Sequence, residues 1–323
     1  MNRRDFLARS AALAAAGVLL RPKMFAQNPS PATTPIPAGR TPATIATEFR
    51  PLRRNVGIFL GRGGTIGWLA SKESLVVVDT QFPDTAALCL AGLPERGTRL
   101  VDVVCNTHHH ADHTSGNPVF KPASQTIVAQ RHVPKLQLRA AEQKDTTWQQ
   151  VFADTLFDDT WRRDCGDEIV TARHFGPAHT GGDAVITFER ANVVHLGDLV
   201  FNRICPAIDR PGGANIRNWI KTLDQVAREF PADAIYVYGH GNAKFGVSGG
   251  RDDLLVMRDF LAALLAHVEK EIAAGKTRAE IRQLALLPGF PDFDPTPGQA
   301  SRLPASLEAA YDELTVKKST QAM

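Results

Sequence analysis

The chain has 323 residues, 43% hydrophobic and 22% charged, which is enough to bury a substantial core. That composition excludes a disordered, collagen-like or coiled-coil chain. The formal charge of +3 belongs to the N-terminus: residues 1–26 hold Arg3, Arg4, Arg9, Arg21 and Lys23 against Asp5, which leaves 32 basic and 33 acidic residues, net −1, in the remainder. A near-neutral body has no electrostatic footprint for nucleic acid or an anionic membrane, so neither is an expected partner.

Residues 1–26 read as an export signal. A charged start precedes an apolar run from Ala11 to Leu20, about ten residues, where a membrane span needs roughly 20. "RRDFL" at Arg3–Leu7 resembles the twin-arginine signal, with the arginine pair followed one residue later by Phe and Leu. The expectation is therefore a periplasmic protein, delivered folded by the twin-arginine export machinery, with no stable membrane anchor after cleavage near Ala26. Five prolines then mark residues 27–47 as a linker, and a single domain is expected over residues 48–323.

In chain order, "VGIFLG" and "TIGWLA" flank the glycines of "GRGG" and predict a hairpin. "SLVVVDT" predicts a strand buried on both faces and ending at Asp79; a helix is expected from Asp84 to Arg96, and "LVDVVCNTH" is a second buried strand. "TIVAQ" follows as a strand, Val133–Gln143 as a helix, and "DAVITFE" with "NVVHLGD" as an antiparallel pair turning at Arg190–Asn192. Ile216, Trp219, Ile220, Leu223 and Val226 recur at helical spacing. "DAIYVYGHG" is a further strand, "DDLLVMRDFLAALLAHVEKEIAAG" a long helix closed by Gly275, and the remainder one or two short helices.

The second buried strand runs into "NTHHHADHTSGN", which packs four of the ten histidines into six positions. In an extended segment His108 and His110 project to one side and His109 to the other. Asp112 and His113 follow as the chain turns toward a helix. Imidazole suits zinc and a carboxylate completes or bridges such a site. So local a cluster lacks the reach to wrap one ion and is better suited to feeding two ions from two sides. Three other features sit at strand ends or in glycine-rich turns: His179 in "GPAHTGGD", Asp198 in "HLGDLVF" and His240 in "YGHGN".

The order HxHxDH, His, Asp, His resembles the metal-binding set of the metallo-β-lactamase superfamily, over about Val56 to His267. The resemblance implies an α/β fold, a four-layer αββα sandwich, with a dinuclear centre at one edge. It implies a first zinc on His108, His110 and His179, a second on Asp112, His113 and His240, and Asp198 bridging both. Asp112 and Asp198 are then the candidate catalytic carboxylates, and Asp79 matches a family aspartate that braces the histidine loop from outside the metal shell.

Two zinc ions roughly 3.5 to 4 Å apart can hold a bridging water and lower its pKa from 15.7 toward about 7. The expected activity is hydrolysis of a small molecule: an ester, thioester, lactone, β-lactam amide or phosphodiester. The resemblance also allows a mononuclear iron persulfide dioxygenase, and a non-catalytic periplasmic binding or accessory protein is the third reading. Dedicated β-lactamases of the superfamily typically carry Cys or Ser where this chain has Asp198, and Asp resembles the glyoxalase-II-like, lactonase and phosphodiesterase branches. No GxSxG elbow or phosphate-binding P-loop competes. Arg203 is the candidate for binding a substrate carboxylate, and Trp68, Phe59 and Phe82 are candidates for an apolar wall beside the metals, although core packing is the stronger reading for Phe59. His109, His132, His174, His195 and His267 are expected to be ordinary residues. Cys89, Cys105, Cys165 and Cys205 lack metal-ligand spacing.

Overall fold

Strands buried on both faces need a layer on each side, and the computed structural model supplies them. It describes residues 45–146, 150–293 and 300–315. The leader, and the linker up to residue 44, lie outside the described residues. Seven strands form one sheet in chain order: β1 (Glu48–Arg53), β2 (Val56–Leu60), β3 (Ile66–Ala70), β4 (Leu75–Val78), β5 (Val103–Asn106), β6 (Ile127–Gln130) and β7 (Thr155–Phe157). Pairing is antiparallel from β1 to β4 and parallel from β4 to β7.

The other strands are β8 (Thr160–Asp164), β9 (Ile169–Arg173), β10 (Val185–Phe188), β11 (Val193–His195), β12 (Phe201–Asn202), β13 (Ile235–Val237), β14 (His240–Gly241) and β15 (Ser248–Gly249). Six of them make a second sheet in the order β15-β13-β11-β10-β9-β8, and β12 pairs with β14. The principal helices are α1 (Pro83–Gly92), α2 (Val133–Glu142), α3 (Ile216–Glu229), α4 (Arg251–Ala273) and α5 (Leu303–Thr315).

The period of two along each strand separates three cores. Val76 and Val78 of β4 join Ile58, Val103, Val170, Ala172, Ile186 and Phe188 between the sheets. Leu75 and Val77 turn the other way and pack with Phe59, Val104 and the α1 residues Ala86 and Cys89. Outside the second sheet, Val185, Val194 and Tyr236 meet Trp219 and Leu223 of α3, Phe260 and Leu264 of α4, and Leu307 of α5. The result is the expected αββα sandwich. Among the described residues no helix is long and apolar enough to cross a membrane.

The two expected hairpins are the β2–β3 and β10–β11 pairs. Helix α1 stops at Gly92, short of the expected Arg96, because Leu93 precedes Pro94 and takes extended backbone (φ −58, ψ 121). Helix α3 starts where Asn215 accepts a hydrogen bond from the Asn218 N–H at 2.8 Å. Neither β1 nor β7 to β9 was expected. The strand β8, TWRRD, alternates exposed and half-buried residues and contributes no fully buried residue.

Ile58 is fully buried between the sheets, whereas Leu88 on α1 is 45% exposed. Ile58→Ala is expected to lose roughly 2–5 kcal/mol and Leu88→Ala less than about 0.5 kcal/mol in urea unfolding.

Candidate metal centre

Four strand ends converge on one edge of the sandwich, the edge that layered α/β folds use for ligands. The parallel strands β4 and β5 end just before Asp79 and the 107–113 loop; the parallel strands β11 and β13 end just before the Asp198 turn and His240. His179 comes from the β9–β10 connection.

There the donors sort into two groups. In the first, His110 Nδ1 lies 3.1 Å from His108 Nε2 and 3.0 Å from His179 Nε2. Asp198 Oδ2 is 3.4 Å from His179 Nε2 and 3.8 Å from His108 Nε2. In the second, Asp198 Oδ1 is 3.1 Å from His113 Nε2 and 3.5 Å from His240 Nε2. Asp112 Oδ2 completes it at 3.0 Å from His240 Nε2 and 3.8 Å from His113 Nε2. A tetrahedral zinc with bonds of about 2.0–2.1 Å sets its donors about 3.3 Å apart, so both groups fit a metal ion. Two of these atoms, His113 Nε2 and Asp198 Oδ1, are buried with no hydrogen-bond partner. Such atoms are costly unless something else satisfies them, and a cation between them would.

The surrounding hydrogen bonds orient four of the five rings, those of His108, His110, His113 and His179. Asp79 Oδ1 accepts from the Thr107 N–H, and its Oδ2 accepts from Thr107 Oγ1–H and His113 Nδ1–H, each at 2.7 Å. Because the Thr107 hydroxyl donates to Asp79, it accepts from His108 Nδ1–H at 3.0 Å. His179 Nδ1–H donates to the Ala207 carbonyl at 2.9 Å, and His110 Nε2–H to Asp209 Oδ2 at 2.9 Å. These bonds turn Nε2 of His108, His113 and His179 and Nδ1 of His110 toward the two groups, with a lone pair on Nε2 of His108 and His179 and on Nδ1 of His110.

The backbone is shaped around the same atoms. Asp79 adopts φ +64, a left-handed conformation uncommon outside glycine. Gly64 of the "GRGG" turn lies against His113, where a Cβ would come within 2.2 Å of the ring.

The profile of the Metallo-beta-lactamase superfamily matches residues 60–240, over half the chain, a span that holds every one of these donors. The chain belongs to the metallo-beta-lactamase superfamily. It is 26% identical over 180 residues to a probable metallo-hydrolase of Methanocaldococcus jannaschii, covering 51% of this chain and 82% of that one. It is also 26% identical over 231 residues to a hydroxyacylglutathione hydrolase of Methylococcus capsulatus, covering 66% and 83%. Among solved structures, a double mutant of the sec-alkyl sulfatase PisA1 aligns at TM-score 0.64 and 15% identity over 84% of this chain. This chain spans only 50% of that sulfatase. A metallo-beta-lactamase from Hirschia baltica aligns at TM-score 0.54 and 16% identity, over 67% of this chain and 97% of its own.

Within this superfamily fold, His108, His110, Asp112, His113, His179, Asp198 and His240 come together, and Asp79 sits behind them. Two expectations fail. Strand β3 starts at the centre, where the Thr65 N–H donates to the Gly239 carbonyl at 2.9 Å, and carries Trp68 away onto the face covered by α1. Trp68 packs there near Phe49, with the Gly57 backbone against its indole, and is no wall of the metal site. Arg203 is occupied elsewhere: Nη1 donates to Asn202 Oδ1 and Asp253 Oδ1, and the guanidinium stacks 5.0 Å above Phe245. Phe59 is core, while Phe82 stands at the rim beside Gly63 and Asp112. His109 turns away from the first donor group, toward Asp209.

Asp209 and Asp183 also serve the centre without belonging to any motif of the sequence. Asp183 accepts from the Thr180 N–H and hydroxyl and so shapes the turn carrying His179; burial raises its carboxyl to about 7, against those two hydrogen bonds. The only sequence cue for either is a glycine-rich turn.

Electrostatics divide the two groups. Burial holds His108 well below its ordinary pKa and His179 at about 3, so these two present neutral imidazoles. Burial opposes the charged forms of His113 and His240 as well, but Asp198 and Asp112 outweigh it; with Asp79 they hold His113 well above its ordinary value, and they lift His240 to about 9. Burial works against the Asp198 carboxylate too, and the charged His240 and His113 hold it well below its usual range. Without a cation the second group is thus neutralised by protons on its histidines. A metal held there must displace them, so the affinity of this group for a cation should rise with pH up to about 9, by about tenfold per unit for each proton released. Calorimetry in buffers of different ionisation enthalpy checks this. Affinity that levels off near the ordinary histidine pKa would contradict it.

Proposed function

We propose that this chain is a hydrolase that works with two divalent metal ions, zinc in the native protein, on an acyl or phosphodiester substrate. The observation that carries the reading is Asp198, whose single buried carboxylate turns Oδ2 to one donor group and Oδ1 to the other. One group alone would not need the second oxygen satisfied. The ions would supply Lewis acidity, polarising a substrate oxygen and lowering the pKa of water from 15.7 toward about 7.

The chain's own residues set the approach. His108, His113 and His179 are sealed, whereas the side chains of His110, Asp112 and His240 are 24%, 30% and 22% exposed. Substrate therefore enters over His110, Asp112 and His240. Phe201 stacks on the His240 ring at 5.3 Å and fixes that side of the opening. His108, His113 and His179, with Asp79 and Ala207 behind them, hold the inner wall without moving a proton to the substrate. The aspartate at the shared position and the relative named as a hydroxyacylglutathione hydrolase favour esters and thioesters over β-lactams.

Zinc-loaded protein should be assayed on esters, thioesters, lactones, β-lactams and phosphodiesters. At least one class should turn over, stop on chelation and recover with zinc. Asp198→Ala should lower kcat/KM by at least about 10³ while the fold is kept, since a metal-ligand set acts as a unit. Turnover indifferent to chelation, or one iron per chain with oxygen consumption, would overturn the reading.

We also propose that residues 1–26 direct export through the twin-arginine route to the periplasm, on the strength of Arg3, Arg4 and the short apolar run. Replacing both arginines with lysine should leave uncleaved chain in the cytoplasm; normal export of that variant would refute it.

A further inference from the structure

Asp209 lies outside every motif of the metal centre, yet its carboxylate is built into place. Oδ2 accepts from His110 Nε2–H at 2.9 Å and lies 3.3 Å from His109 Nε2. Oδ1 accepts from the Gly212 N–H at 2.8 Å, and the Ala214 N–H closes the turn onto the Asp209 carbonyl at 2.9 Å. Gly212 is required there, because a Cβ would come within 1.9 Å of Oδ2. Arg139 of α2 donates to the Pro211 carbonyl, and Arg210 pairs with Glu313 of α5 at 2.9 Å, so the turn is tied to two helices.

His110 differs from the other donors of its group. His108 and His179 are gripped by burial and face the centre through Nε2; His110 is 24% exposed and faces it through Nδ1. A ring joined through its near nitrogen swings its far nitrogen toward solvent unless something holds it. From this we infer that Asp209 is a positioning residue for His110: it keeps the proton on Nε2, leaves the Nδ1 lone pair for the first metal ion, and replaces the packing that His110 lacks. His109 shares the same oxygen but turns neither nitrogen to the centre, and its Nδ1 is buried without a partner.

The inference rests on the two-metal reading. The test is titration of metal-free full-length protein with zinc by calorimetry, and with cobalt(II) by visible absorption. Wild type is expected to take two ions. Asp209→Ala should bind the ion held by His108, His110 and His179 about 10–100-fold more weakly and lose its tetrahedral cobalt bands, with the other ion unaffected. Asp209→Asn, whose amide oxygen still accepts from His110, should recover part of the loss, and it carries the test if the alanine variant does not fold. His109→Ala should leave both affinities unchanged. Wild-type affinities in both Asp209 variants would overturn the inference while the two-metal reading stands. A loss in His109→Ala equal to that in Asp209→Ala would also overturn it, because His109, His110 and Asp209 would then be taking an ion themselves. Fewer than two ions on wild type would refute the two-metal reading, and the inference with it.

Discussion

A single buried carboxylate, that of Asp198, faces two groups of imidazoles, and the rest of the centre is arranged so that it can. Burying a carboxylate costs several kcal/mol unless cations or hydrogen bonds compensate. Here the charged rings of His240 and His113 hold it ionised. The turn that carries it, Gly197–Leu199, begins at a left-handed glycine (φ +52) and ends where Trp219 Nε1–H donates to the Leu199 carbonyl at 2.9 Å. On the other side, a Cβ at Gly239 would strike Asp198 Oδ1 at 1.9 Å. Helix α3 and the glycine of "YGHGN" thus serve the same two oxygens.

From that carboxylate outward the two halves of the centre differ in kind. In the first group His108 and His179 are neutral imidazoles, pre-set by their tautomers and sealed from water. The second holds its geometry with protons that a cation would replace. Asp79 reaches both, since its carboxylate directs His113 and, through the Thr107 hydroxyl, His108. Its left-handed backbone is a local strain held in place by the strand β4 on one side and the loop hydrogen bonds on the other.

How much of this is legible in the sequence depends on the range of the interaction. The alternation of His108, His109 and His110 along an extended segment already separates donor from non-donor, because side-chain direction in such a segment is local. The apolar runs of β4, β5 and β10 and the helical spacing of α3 are local as well. Asp209 meets His110 across 99 positions, and nothing in "AIDRPGG" beyond a turn signal marks it. Trp68 and Arg203 mislead for the same reason. Both lie close in sequence to residues of the centre, but β3 leads Trp68 to the α1 side, and Asp253 at the start of α4 takes Arg203. Edge strands such as β8 escape notice because a half-exposed polar strand carries no hydrophobic signal. Membership of the superfamily settles the fold; substrate choice belongs to the rim, where sequence position says least.

The most direct test of the central claim is anomalous diffraction at the zinc edge from crystals of the zinc-loaded protein. Two peaks about 3.5–4 Å apart, one against each oxygen of Asp198, are the predicted result. A single peak among His108, His110 and His179, with Asp198 Oδ1 left facing His113 alone, would contradict it.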